Sequence, residues 1–186
     1  MSELNSVSKS TYQALKFLEQ NSSFLQSLLL NCDRNVEQIT AIMEPILRAP
    51  KRCELAPYYI QAVNTEKNTF LVTNLSQPQA VKVVDSSSTW SIGRRSTCSI
   101  SIANPCISRQ HAVIGHELGR NFYIMDIGSR NGTKLNHSQL NNSDRYALSD
   151  GDLIELGSIQ VEFFVAICQG QDLSKLAKQV SNADLI

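Results

Sequence analysis

The chain has 186 residues, 42% hydrophobic and 18% charged, with seventeen bases balanced by seventeen acids. This length predicts one domain with appendages, or two small ones. A net charge of zero argues against bulk binding to DNA, RNA or an anionic membrane, because duplex binders carry a basic excess that neutralises several phosphates at once.

Residues 1–56 read as helix. Tyr12, Leu15 and Leu18 share one face, and Phe24, Leu25, Leu28 and Leu29 continue it after the polar break Asn21-Ser22-Ser23. Asp33 is the expected N-cap of a further helix with Val36, Ile39, Met43 and Ile46 at helical spacing, limited by Pro45 and Pro50. Fewer than about 60 residues rarely fold alone. This region is therefore expected to cover the rest of the protein or to serve docking, including homo-oligomerisation with another copy. Gln26 and Ser27 interrupt the apolar stretch Phe24–Leu30, so neither a signal peptide nor a membrane span is expected.

From Tyr58 the pattern changes to short β-rich runs separated by turn signals. They are Tyr58–Val63, Phe70–Leu75, Ala80–Val84, Trp90–Ile92, Cys98–Ile102, His111–Gly115, Phe122–Ile127, Leu153–Leu156 and Ile159–Val165. Such spacing without intervening helices predicts an antiparallel sandwich or barrel over 57–168. Residues 169–186 form a polar tail in which Leu173, Leu176, Ala177 and Val180 fit one amphipathic helix. Five widely spaced cysteines without a CxxC pair predict a reducing cytoplasm, with no disulfide framework, metal site or cofactor.

Charge is unevenly placed. Arg94 to Lys134 holds six bases and two acids, whereas Leu135 to Val165 holds five acids and one base. A local basic cluster in a neutral chain suits a compact anion better than a polyanion. Three short patterns lie in that basic stretch, all at strand ends or turns. Gly93-Arg94 closes the strand Trp90–Ile92, Ser108-Arg109-Gln110-His111-Ala112 leads into Val113-Ile114, and Asp126-Ile127-Gly128-Ser129-Arg130-Asn131-Gly132-Thr133 carries the Asn-Gly hairpin signal. Taken singly, each has a structural explanation.

In this order and spacing, the three patterns resemble the forkhead-associated (FHA) domain family, whose hallmark is G-R, S-x-x-H and N-G on loops of an eleven-stranded β-sandwich. The resemblance covers roughly residues 67–166 and leaves the helices unexplained. It implies recognition of a phosphothreonine peptide by Arg94, Ser108 and Asn131, with Arg109 reaching the phosphate or the peptide. Arg130 stands where the family often has threonine. Gly93, His111 and Gly132 would support the loops, and Ser101–Ile107 and Asn136–Asn142, with Asn104, Cys106 and His137, would face the ligand's neighbouring residues. The implied partners are a threonine-phosphorylated protein and an upstream Ser/Thr kinase, without nucleic acid or membrane. The expected role is a non-enzymatic signalling adaptor. Two rivals remain: a phosphate-independent scaffold that uses the fold and helices to dimerise or dock, and a hydrolase built on Ser108 and His111. The second lacks a G-x-S-x-G elbow, HExxH or phosphate loop.

Overall fold

Buried side chains along the β-rich runs pack two stacked sheets together in the computed structural model. It describes residues 16–168 apart from 20, 33–34, 66–67, 78–79, 85–86 and 118–120. The strands are β1 (Tyr58–Thr65), β2 (Thr69–Gln77), β3 (Ala80–Val84), β4 (Thr89–Gly93), β5 (Ile100–Ser101) and β6 (Ala112–Glu117). They continue as β7 (Asn121–Asp126), β8 (Thr133–Leu135), β9 (Ser138–Gln139), β10 (Tyr146–Leu148), β11 (Leu153–Leu156) and β12 (Ile159–Cys168). One sheet runs β3-β2-β1-β12-β11-β8-β9 and the other β10-β7-β6-β4-β5. The β-sandwich expected from the sequence is therefore present, with twelve strands among the described residues rather than eleven. It is also not wholly antiparallel, because β1 pairs parallel with β12 and β4 with β5.

The two facing layers bury Ile60, Leu71, Ile154 and Phe163 of the larger sheet against Trp90, Ile92, Ile114 and Ile124 of the smaller. Burying an aliphatic or phenyl side chain of this size contributes about 1.5–3 kcal/mol, so this core fixes the strands whose ends carry the site loops. Ile107, 1% exposed, extends it to the residue just before Ser108.

Residues on the opposite face of the larger sheet would be stranded in water without cover. Tyr59, Val63, Phe70, Val72, Phe164 and Ala166 instead form a second core with helices α1 (Ser22–Asn31) and α2 (Val36–Arg52), through Phe24, Leu28, Ile42, Met43, Ile46 and Ala49. The apolar stripe read at Val36, Ile39, Met43 and Ile46 is thus directed onto the sheet at Met43 and Ile46, which are both buried. Asp33, Tyr12, Leu15 and the tail residues Leu173, Leu176, Ala177 and Val180 lie outside the described residues. At the start of α2, Asn35 Oδ1 accepts the Gln38 N–H at 3.1 Å, the usual N-cap bond.

Pro45 and Pro50 do not limit α2, which runs through both to Arg52. A helical proline removes the N–H that would reach the carbonyl four residues back. For Pro45 that carbonyl is Ala41, and the Cys168 thiol at the end of β12 donates to it at 3.4 Å. Packing against β1 and β12 outweighs the local preference.

The junction between helix and sandwich is held by one buried carboxylate. Glu162, 4% exposed, accepts the N–H groups of Glu54, Leu55 and Ala56 at 2.8, 2.8 and 3.0 Å, all on Oε1. Nearby, the Arg52 guanidinium lies 4.1 Å from the Phe164 ring centroid and pairs with Asp150 at 2.7 Å. Glu162→Gln keeps an accepting oxygen but loses the charge, so a loss of about 1–2 kcal/mol is expected. Urea unfolding measures it, and an unshifted midpoint would show that the charge contributes nothing there. Among the described residues, no helix is long and apolar enough to cross a membrane.

Candidate functional site

Three loops meet at one end of the sandwich: that between β4 and β5, that between β5 and β6, and that between β7 and β8. The first two are laced by backbone. Arg94 N–H donates to the Ser108 carbonyl at 2.9 Å, Arg95 N–H to the Arg109 carbonyl at 3.2 Å, and His111 N–H to the Ile92 carbonyl at 2.8 Å. Gly93 is required by this closeness. A Cβ there would lie 2.5 Å from the Arg109 carbonyl oxygen and 2.9 Å from Cys98 Sγ.

The third loop changes sheets. β7 belongs to the smaller sheet and β8 to the larger, so Asn131-Gly132 sits in a crossover and not in a hairpin turn. A crossover has no ladder of its own, and a side chain supplies the order. Asp126 Oδ1 accepts the N–H groups of Gly128 and Ser129 at 2.9 and 2.8 Å, and Oδ2 accepts the hydroxyls of Ser129 and Thr133, both at 2.6 Å. Burial alone would raise the Asp126 carboxyl. The hydroxyl donors Ser129 and Thr133, with the N–H groups of Ser129 and Gly128, outweigh it and hold the carboxyl below the ordinary range. The sequence reading gave Asp126 no role, yet Asp followed two residues later by Gly is an Asx-turn signal.

His111 joins the loops to one another. It is fully buried, its Nδ1 accepts the Ser108 N–H at 3.2 Å, and its Nε2 lies 3.2 Å from the Gly132 carbonyl. With Nδ1 accepting, the neutral ring carries its proton on Nε2 and donates it to Gly132. Burial lowers the His111 pKa by more than the Gly132 bond and the Asp126 charge raise it. The same Gly132 carbonyl accepts the Gly157 N–H at 3.0 Å. Gly132 itself has φ +77°, where a Cβ would also lie 2.5 Å from Gln139 Nε2.

Ser108 Oγ accepts the Arg130 N–H at 2.9 Å. An accepting hydroxyl still has its own proton to give, so Ser108 remains a donor. His111 does not act on that proton, since its accepting nitrogen is used on the Ser108 backbone; this serine and histidine are not arranged as nucleophile and base. Asn131 Nδ2 donates to the Cys106 carbonyl at 2.8 Å, which leaves Oδ1 as an acceptor. Ser108 is partly buried, while Arg94, Arg95, Arg109, Arg130 and Asn131 are exposed. The structure thus brings together all eight residues singled out in the sequence: Gly93, Arg94, Ser108, Arg109, His111, Arg130, Asn131 and Gly132.

The neighbouring loops are more constrained than expected. Asn104 Oδ1 accepts the Cys106 N–H at 2.8 Å. Asn136 and His137, with φ +50° and +68°, form the two-residue turn of the β8–β9 hairpin. Asn136 bonds Asp152 at 2.9 Å and His137 bonds Glu155 at 3.0 Å, so both side chains are engaged by the larger sheet and its approach.

Comparison with known proteins covers this same stretch. Residues 90–157 match the family model described as FHA domain. An FHA domain-containing protein of Arabidopsis thaliana is 38% identical over 87 residues, covering 45% of this chain and 22% of the relative. Glycogen accumulation regulator GarA of Mycobacterium tuberculosis is 32% identical over 82 residues, 44% of this chain and 48% of that protein. The chain thus spans less than half the length of these curated relatives. Among solved structures, the N-terminal FHA domain of S. cerevisiae Rad53p in complex with a phosphothreonine peptide is 31% identical. That likeness covers 38% of this chain and 56% of the other, with a TM-score of 0.36. The match to the FHA domain model thus falls on the stretch that carries the three loops, and over residues 90–157 this chain is similar to that family.

Proposed function

We propose that this protein binds threonine-phosphorylated peptides through the three loops and acts as an adaptor downstream of a Ser/Thr kinase. The observation that carries the reading is Ser108. Its hydroxyl is oriented by the Arg130 N–H, its backbone is bonded to both His111 and Arg94, and the exposed Arg94 follows on the adjacent loop. A phosphothreonine brings close to two negative charges and three acceptor oxygens. Arg94 answers with charge-assisted hydrogen bonds and Ser108 with a fixed short donor. Asn131 Oδ1 accepts from the peptide backbone, and Arg109 and Arg130 contact phosphate or peptide. Such a contact is small, so affinity of order micromolar is expected, about −8 kcal/mol.

The test is an oriented phosphothreonine peptide library passed over the purified protein, with phosphoserine and unphosphorylated libraries alongside. Selective retention of phosphothreonine is expected, lost in Arg94→Ala and in Ser108→Ala while thermal unfolding stays near that of the wild type. Equal or absent retention of the three libraries would remove the proposal. Retention unaffected by both substitutions would move the site elsewhere on the molecule.

A further inference from the structure

The site carries more positive charge than one phosphate uses. Arg94 and Arg95 donate backbone N–H groups to Ser108 and Arg109, and Arg130 donates its own to Ser108 Oγ. Four arginines therefore spring from backbone gathered around a single serine. All four are exposed, and none makes an ion pair with a described residue. The two stretches that bear them, residues 94–111 and 127–132, contain no acid. Asp126, at the base of the third loop, is buried with both oxygens occupied by four donors.

The acid-rich half of the chain does not supply the missing counter-charge. Asp150 is paired with Arg52, Glu155 with His137, and Glu162 with three backbone N–H groups. Asp152 is bonded to Asn136 and the Ser149 N–H, and Asp144 to Asn141. Each acid of that half has a partner other than the four arginines. Nor does one ligand phosphate balance the site: it carries about −1.5 to −2 against four guanidinium groups.

Building on the phosphothreonine reading, we infer that the preferred ligand carries a second anionic group close to the phosphothreonine, held by Arg95 and Arg130. The second group is an acidic side chain or another phosphate. Two residues of extended peptide span about 7 Å, comparable to an extended arginine side chain, which places the second anion within two residues of the first. This selectivity belongs to the arginines themselves, since the side chains of Asn136 and His137 on the neighbouring loop are engaged elsewhere.

The experiment compares three peptides by fluorescence anisotropy on the full chain. One has a single phosphothreonine with neutral neighbours, one adds glutamates within two residues, and one adds a second phosphate there. Both peptides with an added anionic group are expected to bind at least about tenfold more tightly than the first, as one further charge-assisted hydrogen bond allows. The gain should shrink with added salt. In Arg95→Ala the affinity for the singly phosphorylated peptide should hold while the ratio between peptides falls toward one; in Arg130→Ala that ratio should also fall. Equal affinity for all three peptides, or a ratio unchanged in both variants, overturns the inference but leaves phosphothreonine binding standing. Failure to bind any of the three overturns both. A gain only with the second phosphate identifies that group as the ligand, and a gain with both chemistries identifies charge alone.

Discussion

Asp126→Ala is expected to lower the stability of the domain by about 4 kcal/mol, since it strands four donors around a buried position. On the proposed phosphothreonine reading, phosphopeptide binding should disappear with it, although Asp126 is itself buried beneath the loop. The crossover that carries Arg130 and Asn131 has no strand ladder between Asp126 and Thr133, and the carboxylate is its substitute. The pH dependence gives a second readout. The folded carboxyl sits below its unfolded value of about 3.9, so its contribution is complete above that pH and is lost as pH falls through the depressed folded value. The gap in unfolding free energy between wild type and variant should therefore close below about pH 4. A gap that stays constant through that window would mean that the charge of Asp126 is not what holds the loop.

His111→Ala should cost about 3 kcal/mol, because it leaves the Ser108 N–H and one bond to the Gly132 carbonyl unmade at a fully buried position. The acid response has a different window from that of Asp126. The folded-state pKa of His111 is lowered, so the unfolded chain takes up the proton first as pH drops below about 6.5. Wild-type stability should be full above that pH and decline from there downward, and the decline due to this group should be missing in His111→Ala. Protonation also converts Nδ1 from acceptor to donor, which sets it against the Ser108 N–H. Denaturant unfolding at a series of pH values separates the two residues. If His111→Ala unfolds at the wild-type midpoint, the histidine is not the tie between the loops.

Much of this was legible in the sequence because chemistry and spacing coincide there. Gly93, Ser108, His111 and Gly132 stand at the points where three loops touch, and each is a residue type that few others can replace in that place. The longer strands were readable from their apolar runs. β8, β9 and β10, with three, two and three residues, are too short to show a period, and the Asn136-His137 turn lacks the glycine that signals a tight hairpin. The Asn131-Gly132 pair misled in the opposite sense. It carries a hairpin signal, yet the chain there passes between sheets, a choice made by tertiary packing. Pro45 and Pro50 were read as helix limits for the same local reason, whereas the buried side chains of Ile46 and Ala49 and the Cys168 thiol keep α2 intact.

The hydrogen bonds from Asn131 to Cys106, from Arg130 to Ser108 and from Ser108 to His111 are made by the protein alone, before any peptide arrives. A ligand then meets loops already set and orders little besides itself. Encounter should accordingly be a single fast step, accelerated by the arginines and slowed by salt. Differences among peptides would be written mainly in how long each one stays.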